Sequence, residues 1–223
     1  MHVGGEVTEE RLLAFGDIHG EVSALCRLLE RLNLTSADTL VFLGDYIDRG
    51  EDSRAVLDLL MDLERQYSCV FLKGNHEDLF LTAYDGSETD WGLWLMNGGL
   101  KTLQDFDSIL PQDIYIDWIR RLRTSYETDT HYFVHAGVQP GKPPSESSDA
   151  DRLWIREPFL SSAYDWGKVV VFGHTVQFGG PLVQPNKIGI DTGAFVHRFG
   201  KLTCLVLPEC RFIFSNGRSR KLR

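Results

Sequence analysis

Eight short apolar runs limit how this chain can fold. They cover residues 11–15, 39–43, 69–72, 131–134, 169–172, 187–190, 201–207 and 211–214. Each is rich in Val, Ile, Leu and Phe and is bounded by Gly, Asp or Asn, so each reads as a buried strand. Helical periodicity separates the early runs. Within residues 21–32, Val22, Leu25, Leu28, Leu29 and Leu32 fall on one helical face. Residues 53–66 repeat the pattern with Val56, Leu57, Leu60 and Leu63, and Ser53 stands as the candidate N-cap. Segments 76–84 and 111–122 predict two further helices. The first part is therefore β-α-β-α-β, which predicts parallel strands joined by crossover helices. The last part is strand after strand. An α/β chain with helices outside a layered β core accommodates both.

With 223 residues, such a chain can hide roughly 70% of its unfolded surface. Its formal charge of −9, from 23 basic and 32 acidic residues, argues against a nucleic-acid binder that works by neutralising phosphates. Binding of one phosphate is still allowed, because bound cations can reverse the field inside a cleft. No apolar run approaches the ~20 residues needed to cross a bilayer, and the first ten residues are polar, with Glu6, Glu9 and Glu10. A cytoplasmic protein without membrane contact is expected. None of Cys26, Cys69, Cys204 and Cys210 forms a Cys-x-x-Cys pair. All four read as reduced thiols, with Cys26 and Cys69 in the core. Residues 139–149, rich in Pro, Ser and Gly, read as a surface loop.

Polar clusters follow five of the apolar runs. They are Gly16-Asp17-Ile18-His19-Gly20, Gly44-Asp45-Tyr46-Ile47-Asp48-Arg49-Gly50, Gly74-Asn75-His76-Glu77, His135-Ala136-Gly137 and Gly173-His174-Thr175. Ligands of open α/β sheets gather beyond the carboxyl ends of the strands, so these clusters should converge. Their glycines suit loops that need positive φ or close backbone approach. Asp17 and His19, two apart, point the same way in an extended segment. Together with Asp45, Asn75, His135 and His174 they offer carboxylate, amide and imidazole donors without thiolate. That set suits Mn²⁺, Fe or Zn²⁺ better than a structural zinc site. Taken singly, each fragment has a bland explanation: a turn, a satisfied core histidine, an Asn in a turn position. Those explanations do not account for five strand ends that all carry metal-competent residues.

These blocks, in this order, resemble the calcineurin-like metallophosphoesterases. More narrowly they resemble the phosphoprotein phosphatases of the small bacterial and bacteriophage branch, from about Leu12 to Leu207. The resemblance implies two β-sheets packed as a central sandwich flanked by helices, with the metals at one edge. It implies a catalytic domain over residues 11–214, an N-terminal extension over 1–10 and a frayed basic tail over 215–223. It assigns Asp17 and His19 to the first metal, Asp45 as the bridge, and Asn75, His135 and His174 to the second metal. Arg49, Arg156 (in Trp154-Ile155-Arg156-Glu157) and Asn75 would hold the phosphate. His76 would protonate the leaving oxygen, with Asp48 orienting it. The cofactors implied are two divalent ions, Mn²⁺ first, with Fe or Zn²⁺ also compatible.

Three activities follow from the resemblance. The first is hydrolysis of phosphoserine and phosphothreonine in a phosphorylated protein or peptide, with phosphotyrosine a further substrate. The second is symmetrical diadenosine tetraphosphate hydrolysis; Asp48 in Asp48-Arg49-Gly50 favours the first, since the dinucleotide enzymes usually lack that aspartate. The third is a non-catalytic scaffold, which the full ligand set and both arginines oppose. His135-Ala136-Gly137 replaces the His-Gly-Gly of the eukaryotic enzymes, and no regulatory-subunit docking element is recognised. The block at residues 91–99 looks like the bacterial branch, its tryptophans lining a groove or packed inside. Asp191 reads as a supporting residue, and His131 and His197 as surface or packing residues. Arg49 and Arg156 also have plain alternatives, ion pairs with nearby carboxylates.

Overall fold

A computed structural model describes residues 10–107, 110–196 and 198–221. Residues 1–9 of the expected extension, His197 and residues 222–223 lie outside the described residues. The strands, in chain order, are β1 (Leu12–Phe15), β2 (Thr39–Phe42), β3 (Ser68–Phe71), β4 (Ser125–Glu127), β5 (His131–Val134), β6 (Val169–Phe172), β7 (Leu182–Gln184), β8 (Lys187–Gly189), β9 (Thr203–Leu207), β10 (Arg211–Phe214) and β11 (Ser219–Lys221). They form a six-stranded sheet in the order β11-β10-β9-β1-β2-β3 and a five-stranded sheet in the order β4-β5-β6-β8-β7. β1, β2 and β3 are parallel and are joined by α1 (Val22–Leu32) and α2 (Ser53–Gln66), as the alternating pattern predicts. β5, β6 and β8 are also parallel. β9 returns antiparallel beside β1.

Side-chain alternation sorts the core into layers. In β1, Leu13 and Phe15 face the helices while Ala14 faces the other sheet. β2 repeats this with Leu40 and Phe42 against Val41. Phe133, Val171 and Ile188 of the second sheet meet Val41, Leu205 and Phe212 of the first in a dry layer between the sheets. Tyr132, Val134, Val170 and Phe172 turn outward onto Phe159 and Trp166. Both faces of the inner strands are therefore covered, which is why these strands read as continuous apolar runs. No described helix is long and apolar enough to cross a membrane.

Several expectations are corrected. The N-cap of α2 is Asp52, whose carboxylate accepts from the Ala55 N–H at 2.8 Å, and not Ser53; the Ser53 hydroxyl is used elsewhere. Of the basic tail, Ser219–Lys221 pairs with β10 as an edge strand, held by backbone bonds that composition does not reveal. Cys26 is exposed, on the outer face of α1, while Cys69 is only partly buried. All four cysteines are free thiols. Segment 111–122 keeps a helix only over α6 (Asp113–Arg120). Before it lie α3 (Asn75–Asp85), α4 (Glu88–Trp94), a π turn (Leu95–Gly99) and α5 (Leu100–Asp105). Of these, only α3 has a sequence counterpart, the segment 76–84. The 139–149 loop holds a 3₁₀ turn (Pro144–Glu146) and leads into α7 (Asp149–Trp154).

Arg11 enters β1 and Asp38 enters β2. The Arg11 guanidinium donates through Nε to Asp38 Oδ1 at 2.8 Å and through Nη2 to Oδ2 at 2.6 Å. Burial would raise the Asp38 carboxyl, but the Arg11 bonds and the Thr35 N–H outweigh it and hold its pKa below the ordinary value. Asp38→Asn should therefore cost about 1–3 kcal/mol at pH 7. A depressed carboxyl contributes fully above its unfolded value and loses the contribution as pH falls through its folded value. The difference in urea midpoint between parent and variant should accordingly close in acid.

Candidate metal centre and active site

The loops after β1, β2, β3, β5 and β6 meet at one edge of the sandwich. They bring together Asp17 and His19, Asp45 and Asp48, Asn75 and His76, His135, and His174, all buried. Asp191, beyond β8, is buried at the same edge. Nine described non-glycine residues have positive φ, and five of them are here: His19 (48°), Asp45 (54°), Asp48 (72°), Arg49 (72°) and His174 (60°). Left-handed backbone costs roughly 1–2 kcal/mol per residue for L-amino acids and persists only where the surroundings over-determine it. It also corrects the extended geometry expected of Asp17-Ile18-His19, since the chain turns at His19.

The restraints are visible. Ile18 N and His19 N both donate to Asp45 O, at 3.0 and 2.8 Å. The buried Glu77 carboxylate accepts from Asp45 N (2.8 Å) and Gly74 N (2.9 Å) through Oε2, and from Tyr46 N (2.7 Å) and Ile47 N (3.3 Å) through Oε1. Burial and then the Asp45 charge push the Glu77 carboxyl up to about 7, against the pull of these N–H groups. Close approach explains two of the motif glycines. A Cβ on Gly74 would lie 2.1 Å from Asp45 Oδ1, and one on Gly173 would lie 2.0 Å from Asp17 Oδ1.

Asp45 lies between two groups of donors, His19–Asp45–His76 and Asp45–His135–His174. Its Oδ2 is 3.3 Å from His19 Nε2, and its Oδ1 is 3.4 Å from His135 Nε2. Carbonyl partners set the tautomers. His19 Nδ1–H donates to Ile47 O at 3.1 Å, and His135 Nδ1–H donates to Leu43 O at 2.9 Å. Each neutral ring then turns an Nε2 lone pair into the centre. The His135 lone pair faces Asn75 Oδ1 at 2.9 Å, and the same oxygen is 2.9 Å from His174 Nδ1. Burial lowers the His135 pKa and takes His19 and His174 to about 3, so the imidazoles are neutral, as metal ligation requires. Burial and neighbouring carboxylates raise Asp17, and burial raises Asp191 to about 7. Converging lone pairs among buried, mutually repelling carboxyls form a set that cations would relieve, and the residues fit a pair of divalent ions.

The two donor groups do not include Asp17. Both of its carboxylate oxygens accept from the backbone N–H of His174, at 3.1 and 2.9 Å. The first group contains His76 in its place. His76 Nδ1 bonds Asp48 Oδ2 at 2.7 Å. Burial pulls the His76 imidazolium down, but Asp45 and Asp48 outweigh it and its pKa lies above the ordinary value. Asp48 has two further donors: Oδ2 also accepts from Trp94 Nε1 at 3.1 Å, and Oδ1 from the Thr102 hydroxyl at 2.6 Å. Arg49 Nη1 donates to His19 Nε2 at 3.1 Å, and its guanidinium lies over the Phe195 ring at 4.8 Å. Arg156 is exposed and makes no side-chain hydrogen bond or ion pair with any described residue; neither expected ion-pair alternative occurs. Asp191 Oδ1 accepts from Gly193 N at 2.8 Å, outside the donor groups.

Three contributors have no role in the sequence reading: Glu77, Thr102 and Phe195. Of the two places open to the tryptophans of residues 91–99, Trp94 takes the packed one, buried beside Asp48. Glu77 had a signal, because it stands at the third position of a helix opening on Gly74, where a carboxylate reaches back to backbone N–H groups. Thr102 and Trp94 reach Asp48 across 54 and 46 residues, which no local pattern encodes.

The sequence pattern described as calcineurin-like phosphoesterase matches residues 10–181. The serine/threonine-protein phosphatase 2 of Escherichia coli is 41% identical over 193 residues, 80% of this chain and 85% of that protein. The serine/threonine-protein phosphatase 1 of Salmonella typhimurium is 36% identical over 196 residues, 80% and 84% of the two chains. A crystal structure provisionally assigned as a diadenosine tetraphosphatase superposes with a TM-score of 0.73 at 23% identity, covering 96% and 95% of the two chains; it shows a shared fold.

Glu77→Gln should test the scaffold of this centre. An amide nitrogen in place of either oxygen would face two N–H donors. The expected loss is about 2–4 kcal/mol of stability, with Mn²⁺ affinity, measured by titration calorimetry, falling about tenfold or more as the Asp45 loop loosens.

Proposed function

The chain belongs to the calcineurin-like phosphoesterase family, and from that membership we propose that it is a dinuclear-metal protein phosphatase acting on phosphoserine and phosphothreonine. The observation that carries this reading is the buried His76–Asp48 pair, 2.7 Å apart, beside two donor groups that share Asp45. A serine or threonine alkoxide is a poor leaving group, and its departure calls for a positioned acid. An anhydride substrate needs one far less. The serine/threonine phosphatase names of the relatives support the same substrate class.

In this reading Asp17, His19 and Asp45 hold one cation, and Asp45, Asn75, His135 and His174 hold the other, with Mn²⁺ the first choice. When bound, such a pair supplies Lewis acidity to the phosphoryl oxygens and lowers the pKa of water at the site. The remaining work falls to the chain. Arg49 and Arg156 offer parallel N–H donors to the phosphate oxygens, and the Asn75 amide would add a further phosphate contact. Phe195 backs the Arg49 guanidinium and restricts its swing. Asp48 keeps a proton on His76 Nδ1 and raises the pKa of the ring, so that Nε2–H can donate to the leaving oxygen. Trp94 and Thr102 fix Asp48 in turn. Residues 11–214 carry the activity as one unit.

His76 admits a second reading, because a metal-ligating imidazole also tends to rest its other nitrogen on a carboxylate, and His76 stands in a donor group. His76→Asn should spare Mn²⁺ affinity and slow alkyl phosphates more than aryl phosphates. Lost affinity would move His76 into the ligand set, and equal slowing of both esters would overturn its leaving-group role. Asp45→Asn, which touches both donor groups, should abolish turnover and weaken Mn²⁺ binding together. The substrate class is tested on metal-stripped protein resupplied with Mn²⁺, comparing a phosphoserine peptide, a phosphotyrosine peptide and diadenosine tetraphosphate. The phosphoserine peptide should turn over fastest. Faster cleavage of the dinucleotide would transfer the function to nucleotide hydrolysis.

A further inference from the structure

Lys187 opens β8 and is fully buried, yet no described carboxylate lies within ion-pair distance of it. Its ammonium donates to three backbone carbonyls: Phe159 O at 2.5 Å, Leu160 O at 3.0 Å and Ser162 O at 2.7 Å. The ammonium also lies over the rings of Phe159 (4.9 Å) and Trp166 (5.7 Å). An ammonium has three donors, and here all three are used. Burying a charge this way carries a large desolvation cost, tolerated only where the partners are well placed. The Phe159 and Trp166 rings belong to an apolar cluster with Val170 and Phe172.

The carbonyls it holds belong to residues 156–162, which lie in no strand or helix. Within this turn Leu160 N donates to Arg156 O at 2.8 Å and Ser162 N to Pro158 O at 3.1 Å. The Phe159 ring packs on Gly137, where an added Cβ would come within 2.4 Å of it. The turn is thereby tied to the loop that carries His135. At its head stands Arg156, whose exposed guanidinium has no side-chain partner among the described residues, so the backbone of the turn is what anchors it.

We infer that Lys187 is a positioning residue for Arg156: by gathering the carbonyls of Phe159, Leu160 and Ser162 it fixes the turn that presents the guanidinium to the substrate phosphate. This rests on the reading of Arg156 as a phosphate-binding residue. Without the ammonium Leu160 O loses its partner, Phe159 O keeps only the Ser162 N–H at 3.3 Å and Ser162 O only Asn186 Nδ2 at 3.2 Å, and the turn becomes a locally loosened element.

A double-mutant cycle on the full chain with Mn²⁺ and p-nitrophenyl phosphate tests it. Lys187→Met should lower kcat/KM about tenfold while Mn²⁺ affinity, by calorimetry, stays at the parent value. In an Arg156→Ala background the same substitution should change kcat/KM by less than about twofold, because its effect runs through the missing guanidinium. Losses that multiply in the double variant would show a general structural role and overturn the inference, as would parent kinetics in Lys187→Met. Parent kinetics in Arg156→Ala would instead remove the reading of Arg156 on which it rests. If Lys187→Met does not fold, Lys187→Arg retains a cation with N–H donors and carries the same cycle; its smaller loss must likewise vanish beside Arg156→Ala.

Discussion

The Glu77 carboxylate joins the loops that follow β2 and β3, and the geometry of the polar edge depends on it. Four backbone N–H groups, from Asp45, Tyr46, Ile47 and Gly74, converge on its two oxygens. Asp45 sits at positive φ with its carboxylate against His19, His135 and the His76 N–H. A left-handed aspartate would relax if its own N–H were free to find another partner. Glu77 removes that freedom, and the parallel pairing of β2 with β3 brings the two loops close enough for one side chain to span them.

The same logic runs outward through the fold. Strand alternation buries one set of side chains under the helices and another between the sheets, so a slip by one residue would exchange the two sets and misfit both layers. Register therefore transmits to the loops. Leu43 ends the β2 run, and its carbonyl takes the His135 Nδ1–H from the other sheet. The tautomer of a histidine at the site is thus tied to sheet-on-sheet packing. On the opposite flank Lys187 does for an irregular turn what a strand ladder does elsewhere, supplying donors for carbonyls that secondary structure leaves unpaired.

Legibility in the sequence followed the range of the interactions. β5, β6, β10 and α2 have the boundaries that their apolar patterns predict, because burial of both faces imposes composition over four or more consecutive residues. The polar clusters were legible because each is local: Asp45, Asp48 and Arg49 lie within one loop. β4, β7 and β11 were not, being three-residue edge strands whose pairing is set by neighbours distant in sequence. Thr102 and Phe195 escaped for the same reason. Each acts on a group in another loop, and nothing in its own surroundings marks it. Cys26 misled because an apolar run on an amphipathic helix says which residues are apolar but not which of them lies on the outer face.

A chain of charge −9 that handles phosphate needs a local division of charge, and the structure supplies one. The floor of the site is acidic and buried. Asp17, Asp191 and Glu77 all have raised pKa values, with burial as the first cause and neighbouring carboxylates adding to it. Such a floor repels a phosphate dianion and attracts divalent cations. The rim is cationic and exposed, with Arg49 held against Phe195 and Arg156 without a side-chain partner among the described residues. In the proposed reading phosphate affinity is then conditional. Without cations the dianion meets carboxylates beneath the guanidinium groups; with them the field of the floor reverses and floor and rim act together. The charge that makes the whole protein unsuited to nucleic acid is, within the site, the charge that would hold the metals.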